Sequence, residues 1–574
     1  MPCNHSICVR ISQGAALAAL CGLLLVGCSP AKYRQAADDE VYKILGDRSE
    51  AILGLRQDHS IDTPSSLLEP DDVNGSGILS DRNQTGQDNL LTLKDTLNLA
   101  TKANRSYQYN REKLYLQALS LTGTRHKFAF RVTSASADYG FARDDDGKVS
   151  KESDADASVS KLLKAGGSLT ASLANDLVLY FDGEPRVPSL SLSLTKPLLR
   201  GAGADIATEI LTQAERDVVY EIRDFSHFQK EFAVDVVNDY FDLLQQGESL
   251  RLSYNNYTNR TFFRKEIEAR VKAGLAAEFE AKQAKQSEYS AKLAYVGAIN
   301  TFQNSLDDFK QKLSLPLGSG VRLDFKELDR LKELGLPELP LTDATGYRLA
   351  TANRLDILNV VDQFEDSKRK VKVAKQDLLP GISLVADASL KDQFYSSFAH
   401  EENTRSGGLK IDLPIDQLSE RNAYRSSLIA FERQMRSLAQ ELDSLLDGIR
   451  AGVRNLKLQR QNYFTELEAR KNAEENLQAT QQRLRVGFPG VRTRDIITAQ
   501  DALLQAQLSV SKANVGYHKI RLKLLKDLGI LDTSQNEFWL KEIPVLGAIQ
   551  VPPVPPGGGL DAVVTPDDIL GQQP

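Results

Sequence analysis

The sequence predicts an α+β protein in which one unit (helix, strand segments, long helix, second helix) occurs twice. Three observations predict it. Short motifs recur in the same order along the chain. Several segments alternate apolar and small polar residues with the period of two that a strand requires. Two stretches, 204–270 and 420–484, contain no proline and carry apolar residues at helical spacing.

The repeat rests on three landmarks. Leu99-Ala100-Thr101-Lys102-Ala103-Asn104-Arg105 returns as Leu349-Ala350-Thr351-Ala352-Asn353-Arg354, an offset of 249 (353 − 104). Lys196-Pro197-Leu198 returns as Leu413-Pro414-Ile415, an offset of 217, and Arg270-Val271-Lys272-Ala273-Gly274 as Arg483-Leu484-Arg485-Val486-Gly487, an offset of 213. Shrinking offsets mean that the first copy holds extra residues. The acidic stretch from Asp144-Asp145-Asp146 to Asp156 is the expected insertion.

Taken in order, residues 1–10 carry one basic residue, Arg10, and 11–27 are small and apolar, the length of a signal h-region and short for a membrane span. The run ends in Leu25-Val26-Gly27-Cys28: small residues at a cleavage point, then a thiol that can take a diacylglycerol. This resembles a bacterial lipoprotein signal; the alternative is an ordinary signal peptide with a chance cysteine. Cleavage removes Arg10, the one charged residue of 1–27, so the net charge of −6 becomes −7. Ser29 after the cysteine is compatible with delivery to the outer membrane. Residues 28–89 are polar and turn-rich and read as an acylated, mostly irregular arm. The first repeat covers 90–318, a linker or equatorial segment 319–341, and the second repeat 342–531. Residues 532–574 end in a Pro/Gly-rich tail, Val551 to Gly559, in front of which Trp539 reads as a packing residue.

Within the copies, 92–120 and 342–376 have helical periodicity. Leu190-Ser191-Leu192-Ser193-Leu194-Thr195 alternates strictly, as do Phe128, Phe130 and Val132, and Ile382, Leu384, Ala386 and Ala388 with Val385 as the exception. Turn chemistry bounds them at Asp182-Gly183-Glu184-Pro185 and Ser406-Gly407-Gly408. Runs of about 9–11 residues suit a membrane-spanning barrel strand, and also the antiparallel sheet of a soluble domain. The stretch 161–181 is open between an extension of the second strand and an extracellular elaboration. The stretch 204–270 makes a rod of about 100 Å if continuous. Each rod meets a glycine turn (Gly274; Gly487-Phe488-Pro489-Gly490) and then a second helix, Ala281–Leu313 or Arg494–Leu528. Helices this long belong to coiled coils or helical tubes rather than to globular cores.

Composition closes several routes. Of 574 residues 41% are hydrophobic and 26% charged, with 71 basic and 77 acidic, which argues against disorder, a polytopic helical membrane protein and nucleic-acid binding. All four cysteines lie in the first 28 residues, so no disulfide framework or cysteine metal site serves the body. The six histidines are too far apart for a metal-binding helix. Gly201-Ala202-Gly203 lacks a third glycine and any Walker lysine; it reads as a turn, pre-set by Pro197, that redirects the chain from strand to helix. No catalytic residue, cofactor or metal is expected.

The quoted motifs resemble the outer-membrane efflux proteins, the TolC-like channels. Lys196-Pro197-Leu198-Leu199-Arg200-Gly201-Ala202-Gly203 is similar to the family's strand-to-helix signature. Ala103-Asn104-Arg105 with its twin Ala352-Asn353-Arg354, and Leu378-Leu379-Pro380 before a strand, carry the likeness further. Arg485-Val486-Gly487 followed by Arg494-Asp495-Ile496-Ile497 resembles the helix-hairpin turn, lengthened by Phe488-Pro489-Gly490. The first copy departs, with Glu280 where an aspartate is common. The likeness covers about 90–530.

The resemblance implies an α+β membrane protein: a homotrimer whose chains give four strands each to a twelve-stranded transmembrane β-barrel, continued by a periplasmic α-helical barrel. It implies the exit duct of a tripartite efflux or type I secretion system, conducting passively in the outer membrane. The partners would be a periplasmic adaptor, an inner-membrane pump of the RND or ABC type, and outer-membrane lipid, with Cys28 as a second anchor. A gate would lie at the hairpin tips, with Glu278, Glu280, Arg492, Arg494 and Asp495 as candidates; the alternative is that these charges only cap and solvate the hairpins. The structural turns are Pro197, Gly201, Gly203, Gly274, Pro414 and Gly487. The rival functions are a periplasmic adaptor lipoprotein and an envelope coiled-coil scaffold.

Overall fold

The computed structural model describes residues 29–57, 59–63, 66, 68–82, 89–143, 149–179, 189–391, 402–413, 415–535 and 537–541. The signal segment 1–27, Cys28, Pro414, the Asp182–Pro185 turn and the Pro/Gly-rich tail lie outside them. In chain order the elements are α1 (Pro30–Leu53), α2 (Gly75–Arg82), β1 (Asn89–Leu91), α3 (Leu93–Ala103), α4 (Arg105–Lys127), β2 (Arg131–Arg143), β3 (Val149–Leu162), β4 (Ser168–Leu179) and β5 (Ser189–Pro197). Then follow α5 (Ala204–Ala207), α6 (Glu209–Lys272), α7 (Glu278–Lys312), β6 (Val321–Leu323), α8 (Lys326–Leu334), α9 (Asp343–Asn353), α10 (Leu355–Gln376), β7 (Gly381–Lys391), β8 (Glu402–Asp412), α11 (Leu418–Arg485) and α12 (Thr493–Asp527).

Four expectations are corrected. The arm 28–89 is not mostly irregular: α1 spans 24 residues, with Pro30 in its first turn and Gly54 left-handed at its end. Its apolar stripe is limited to Val41, Ile44 and Leu45, all buried, so a polar composition hides the helix. The expected helix 92–120 is two helices, broken at Asn104, and 342–376 is two, broken at Arg354. Ser406-Gly407-Gly408 is no turn; it lies inside β8, paired with Asp387, Ala386 and Val385. The described residues carry six strands in one sheet, not four, in the order β2-β3-β4-β5-β7-β8, every neighbour antiparallel. The surplus pair, β3 and β4 with the turn between them, covers 149–156 of the acidic segment read as an insertion and 161–179 of the stretch left open. Aspartate, serine and alanine there make a pleat with little apolar signal.

The helix breaks correct the repeat register. The C-cap N–H of Asn104 donates to Ala100 and that of Arg354 to Ala350, and both alanines are fully buried. The true offset is therefore 250 (354 − 104), one more than the Asn-Arg match gave. Asn104 starts the next helix by accepting the Tyr107 N–H at 2.8 Å, the local bond that makes asparagine a helix starter. Arg354 occupies that place in the second copy and pairs instead with Asp356.

By its contacts the chain forms two compact units. Each draws on both repeats, so the sequence boundaries mark the duplication rather than separate bodies. The first unit (Met1–Ile61, Asn110–Phe225, Asn359–Leu438) contains the whole large sheet. One face of the sheet carries Ala157 and Val159, Leu169, Ala171 and Leu173, Leu190, Leu192 and Leu194, Leu384, Ala386 and Leu390, and Leu409 and Ile411, in register across the strands. Leu173, Leu190, Leu192, Leu384, Leu390, Leu409 and Ile411 are all exposed. Lys161, over the Phe130 ring at 4.3 Å, Lys196, opposite Leu384, and Arg405 are charged exceptions on it. The other face carries Asp156, Ser158 and Ser160, Thr170 and Ser172, Ser191 and Ser193, and Ser383, Asp387 and Ser389. Phe128 and Phe130 precede β2 rather than forming it.

Also in this unit, Asp366 is buried against α6. It accepts from the Tyr220 hydroxyl, Arg216 Nε and Arg369 Nη1, each at 2.6 Å. Burial and the Asp366 carboxylate together hold the Tyr220 hydroxyl far above its ordinary pKa.

The second unit (Asp62–Tyr109, Ser226–Leu358, Ala439–Pro574) holds α7, α12 and the parallel pair β1–β6. The buried Tyr240 hydroxyl donates to the Leu91 carbonyl at 2.9 Å and accepts the Asp324 N–H at 3.1 Å, tying α6 to both short strands. Trp539 is buried and its Nε1 donates to Glu327 at 3.3 Å.

Candidate functional site

Two helical hairpins, α6–α7 and α11–α12, bring their turns into the second unit. The first turn ends α6 at Lys272 with Gly274 at φ 72°, and the second ends α11 at Arg485 with Gly487 at φ 70°, matching the offset of 213. The returning helices start at Glu278 and Thr493, an offset of 215, so the second turn is two residues longer. Pro489 and Gly490 (φ 94°) lie in this enlarged turn. Both returning helices then run 35 residues.

Phe263, Ile267, Ala284 and Ile496 form a buried cluster, with Val271, Ala281, Leu477, Leu484 and Ile497 against it. It draws on all four helices and is what the apolar stripes of the hairpins bury near their turns. Polar bonds cross the same region. Arg260, 1% exposed, donates to Ser287 Oγ on α7 at 2.7 Å, and to the Ile497 carbonyl at 3.0 Å and Asp501 Oδ1 at 2.6 Å on α12. Burial presses its guanidinium below its ordinary pKa, and the Asp501 carboxylate opposes that. Arg264 pairs with Glu288 on α7 at 2.6 Å. Arg270 donates to the Leu484 carbonyl at the end of α11 at 3.1 Å.

The five candidate gate residues divide. Glu280 accepts from Thr493 Oγ1 at 2.6 Å, so it joins α7 to α12. Asp495 accepts the Arg492 backbone N–H at 2.9 Å in a capping box, where an acid at a helix start is expected from the macrodipole alone. Glu278 pairs with Lys282 one turn on, at 3.5 Å, with both side chains well exposed. The side chains of Arg492 and Arg494 are exposed. Among the described residues none of the five pairs ionically with another of the five. Sequence reasoning missed Arg260, Arg264, Glu288, Thr493 and Asp501. The available signal was Arg260 and Arg264 spaced by four on the same stretch as Phe263 and Ile267.

Of the residues named as structural turns, Pro414 lies outside the described residues. Pro197 closes β5, and Gly201 and Gly203 take φ 73° and 97° before α5. That short helix breaks at Thr208, so the long helix begins at Glu209 rather than at 204. Among the described residues no helix is long and apolar enough to cross a membrane.

Residues 346–529 match the model of a family described as outer membrane efflux protein. No curated protein matches the chain by sequence. The fold is that of several solved structures. CusC, from crystal structures concerned with transmembrane channel formation, is similar at TM-score 0.58 and 13% identity over 78% of this chain and 93% of its own. The CmeC outer membrane channel of Campylobacter jejuni is similar at TM-score 0.55 and 16% identity, over 76% of this chain and 85% of its own. The open-state MtrE outer membrane channel of Neisseria gonorrhoeae is similar at TM-score 0.55 and 13% identity, over 76% and 89%.

Proposed function

Taking as premise the resemblance to the TolC-like outer membrane efflux proteins, in sequence over 346–529 and in fold over most of the chain, we propose that the protein is the outer-membrane exit duct of an efflux or type I secretion assembly. Three copies close one pore. The carrying observation is the large sheet, polar on one face and exposed-apolar on the other, with β2 and β8 each paired on one side only among the described residues. Water does not favour such a face, and lipid does not tolerate such edges. Both are relieved when copies join edge to edge in a membrane.

Solutes pass by diffusion along a water-filled lumen, and no covalent step is involved. The constriction lies at the hairpin turns. Arg260, Arg264, Arg270 and the Glu280–Thr493 bond lock each chain's four helices to one another, so opening moves the hairpin pair as a body. Arg492 and Arg494 face neighbouring copies there. In planar bilayers, a closed-state current unchanged by Arg494→Ala with Asp495→Ala removes these residues from the gate. A periplasmic adaptor docks on the hairpins and an RND or ABC pump supplies the solute. Cys28, acylated, adds an anchor, and Cys28→Ser lowers assembly yield more than conduction. Normal lipid labelling of that variant refutes the acylation.

The test of the assembly is native mass measurement on protein extracted from outer membranes. Three chains per particle, released only by detergent, is the expected result. A single chain released without detergent overturns the reading.

A further inference from the structure

The sheet holds more strands than the duplication accounts for. The second copy supplies two, β7 and β8, and the first supplies four. The surplus hairpin, β3 with β4, spans 14 and 12 residues, more than the 9–11 that cross a bilayer at a tilt. It is built into the wall residue by residue. Leu173 stands opposite Leu190 and Ala157, and Ser172 opposite Ser191 and Ser158, so the apolar and polar rows run unbroken from β3 to β5. The Ser172 and Ser191 hydroxyls are 2.5 Å apart. A tight turn joins the pair: the Leu163 N–H donates to the Gly167 carbonyl and the Gly166 N–H to the Leu163 carbonyl, both at 2.9 Å. Gly166 and Gly167 take φ 88° and 98°, and a Cβ on Gly167 would meet the Thr195 carbonyl oxygen at 2.0 Å. The turn is therefore pinned to the end of β5 and does not swing free.

Six is also a closing number. With every neighbour antiparallel, β2 and β8 run in opposite directions, so β8 of one copy can pair with β2 of the next without breaking the pattern. Resting on the trimeric reading above, we infer that the pore is an eighteen-stranded barrel, with the β3–β4 hairpin of each copy as part of its lipid-facing wall. Barrel diameter grows roughly in proportion to strand number, so the lumen is about 1.5 times as wide as twelve strands would give, within the range that leaves an aqueous channel. Its lining from this hairpin is hydroxyl-rich, with Ser158, Ser160, Thr170 and Ser172 beside Asp156. Such a surface passes hydrated solutes and offers apolar ones little to hold.

The body of the chain has no cysteine beyond Cys28, so single thiols can be placed with the parent chain as background. The test uses two pairs in the trimer reconstituted in lipid: Ser172→Cys and Leu173→Cys on β4, with Ser191→Cys and Leu190→Cys on β5 as the reference. A charged, membrane-impermeant thiol reagent is expected to modify each serine position at least about tenfold faster than its leucine neighbour. If the β5 pair shows this contrast and the β4 pair reacts uniformly fast, the hairpin stands in water outside the wall and the eighteen-stranded barrel is wrong, while the channel reading survives. If the β5 pair also reacts uniformly, the transmembrane sheet itself is refuted.

Discussion

The two long helices are similar in length and differ in surroundings. α6 spans 64 residues and α11 spans 68. Along α6, buried apolar side chains run from Val218 to Ile267, including Val236, Val237, Tyr240 and Leu244 at 0% exposure. On α11 the buried ones are Leu445, Ile449, Val453 and Leu456, while Leu418, Met435, Leu458 and Phe464 are exposed. The two copies keep similar lengths and a left-handed glycine at the turn; burial follows each helix's place in the chain's own packing. The counterpart of Arg260 at an offset of 213 is Ala473, so even the buried cross-link has no twin. Under the proposed trimer, the exposed apolar residues of α11 are candidates for contact with a neighbouring copy.

The comparison breaks most sharply under charge insertion. Val237→Asp in α6 places an unpaired carboxylate in a closed core, with an expected loss on the order of 4 kcal/mol or more. Leu458→Asp with Phe464→Asp in α11 should leave helix content near wild type by circular dichroism and abolish the trimer in native mass measurement. Unfolding by the α11 pair would contradict the contrast. Within the first unit, Asp366→Ala leaves Arg216, Arg369 and Tyr220 without their shared acceptor, a loss of about 3 kcal/mol in denaturant unfolding. A loss under about 1 kcal/mol would mean that the network adds little.

His518 on α12 sharpens the comparison by pH. It is 1% exposed, and burial, helped by the neighbouring Arg521 charge, lowers its pKa to about 4. Between the ordinary value near 6.5 and 4, the unfolded chain takes the proton and the folded chain does not. The stability from a neutral His518 is therefore full above pH 6.5 and falls as pH drops toward 4, by about 3 kcal/mol in all. His518→Leu should flatten that slope in unfolding curves between pH 7 and 4; an unchanged slope would assign it to other groups.

The smallest expected effect compares the ends of α7 and α12. Each closes with the same bonds: Ser314 N–H to Gln311 and Leu315 N–H to Lys310, Gly529 N–H to Lys526 and Ile530 N–H to Leu525. The left-handed residue is Ser314 at φ 58° in one and Gly529 at φ 74° in the other. Ser314→Gly should raise stability by about 1 kcal/mol, whereas Gly529→Ala should lower it, because its Cβ would lie 2.8 Å from the Asn353 carbonyl carbon. Both are read from melting temperatures, and equal shifts of one sign would sink the assignment.

Much of this was legible in the sequence, for physical reasons. Proline-free stretches with apolar residues at helical spacing gave α6, α7, α11 and α12 to within a few residues, because long helices leave a long periodic signal. Leu190, Leu192 and Leu194 gave β5 by alternation. β3 stayed hidden because its apolar-face residues there include Ala157 and Lys161, which look like loop or insertion. The break at Asn104 was invisible because Ala103 and Arg105 beside it are good helix formers, and the matching break at Arg354 has no capping side chain to mark it. Arg260 was missed because a buried arginine is recognised by its acceptors, Ser287, Ile497 and Asp501, which lie on other helices.

Single-channel recording on the purified protein in a planar lipid bilayer tests the central claim most directly. The account predicts discrete current steps whose frequency rises with the amount of trimer inserted. A well-folded, membrane-inserted assembly that carries no current, with the wild-type hairpins and with Arg494→Ala and Asp495→Ala alike, would contradict it.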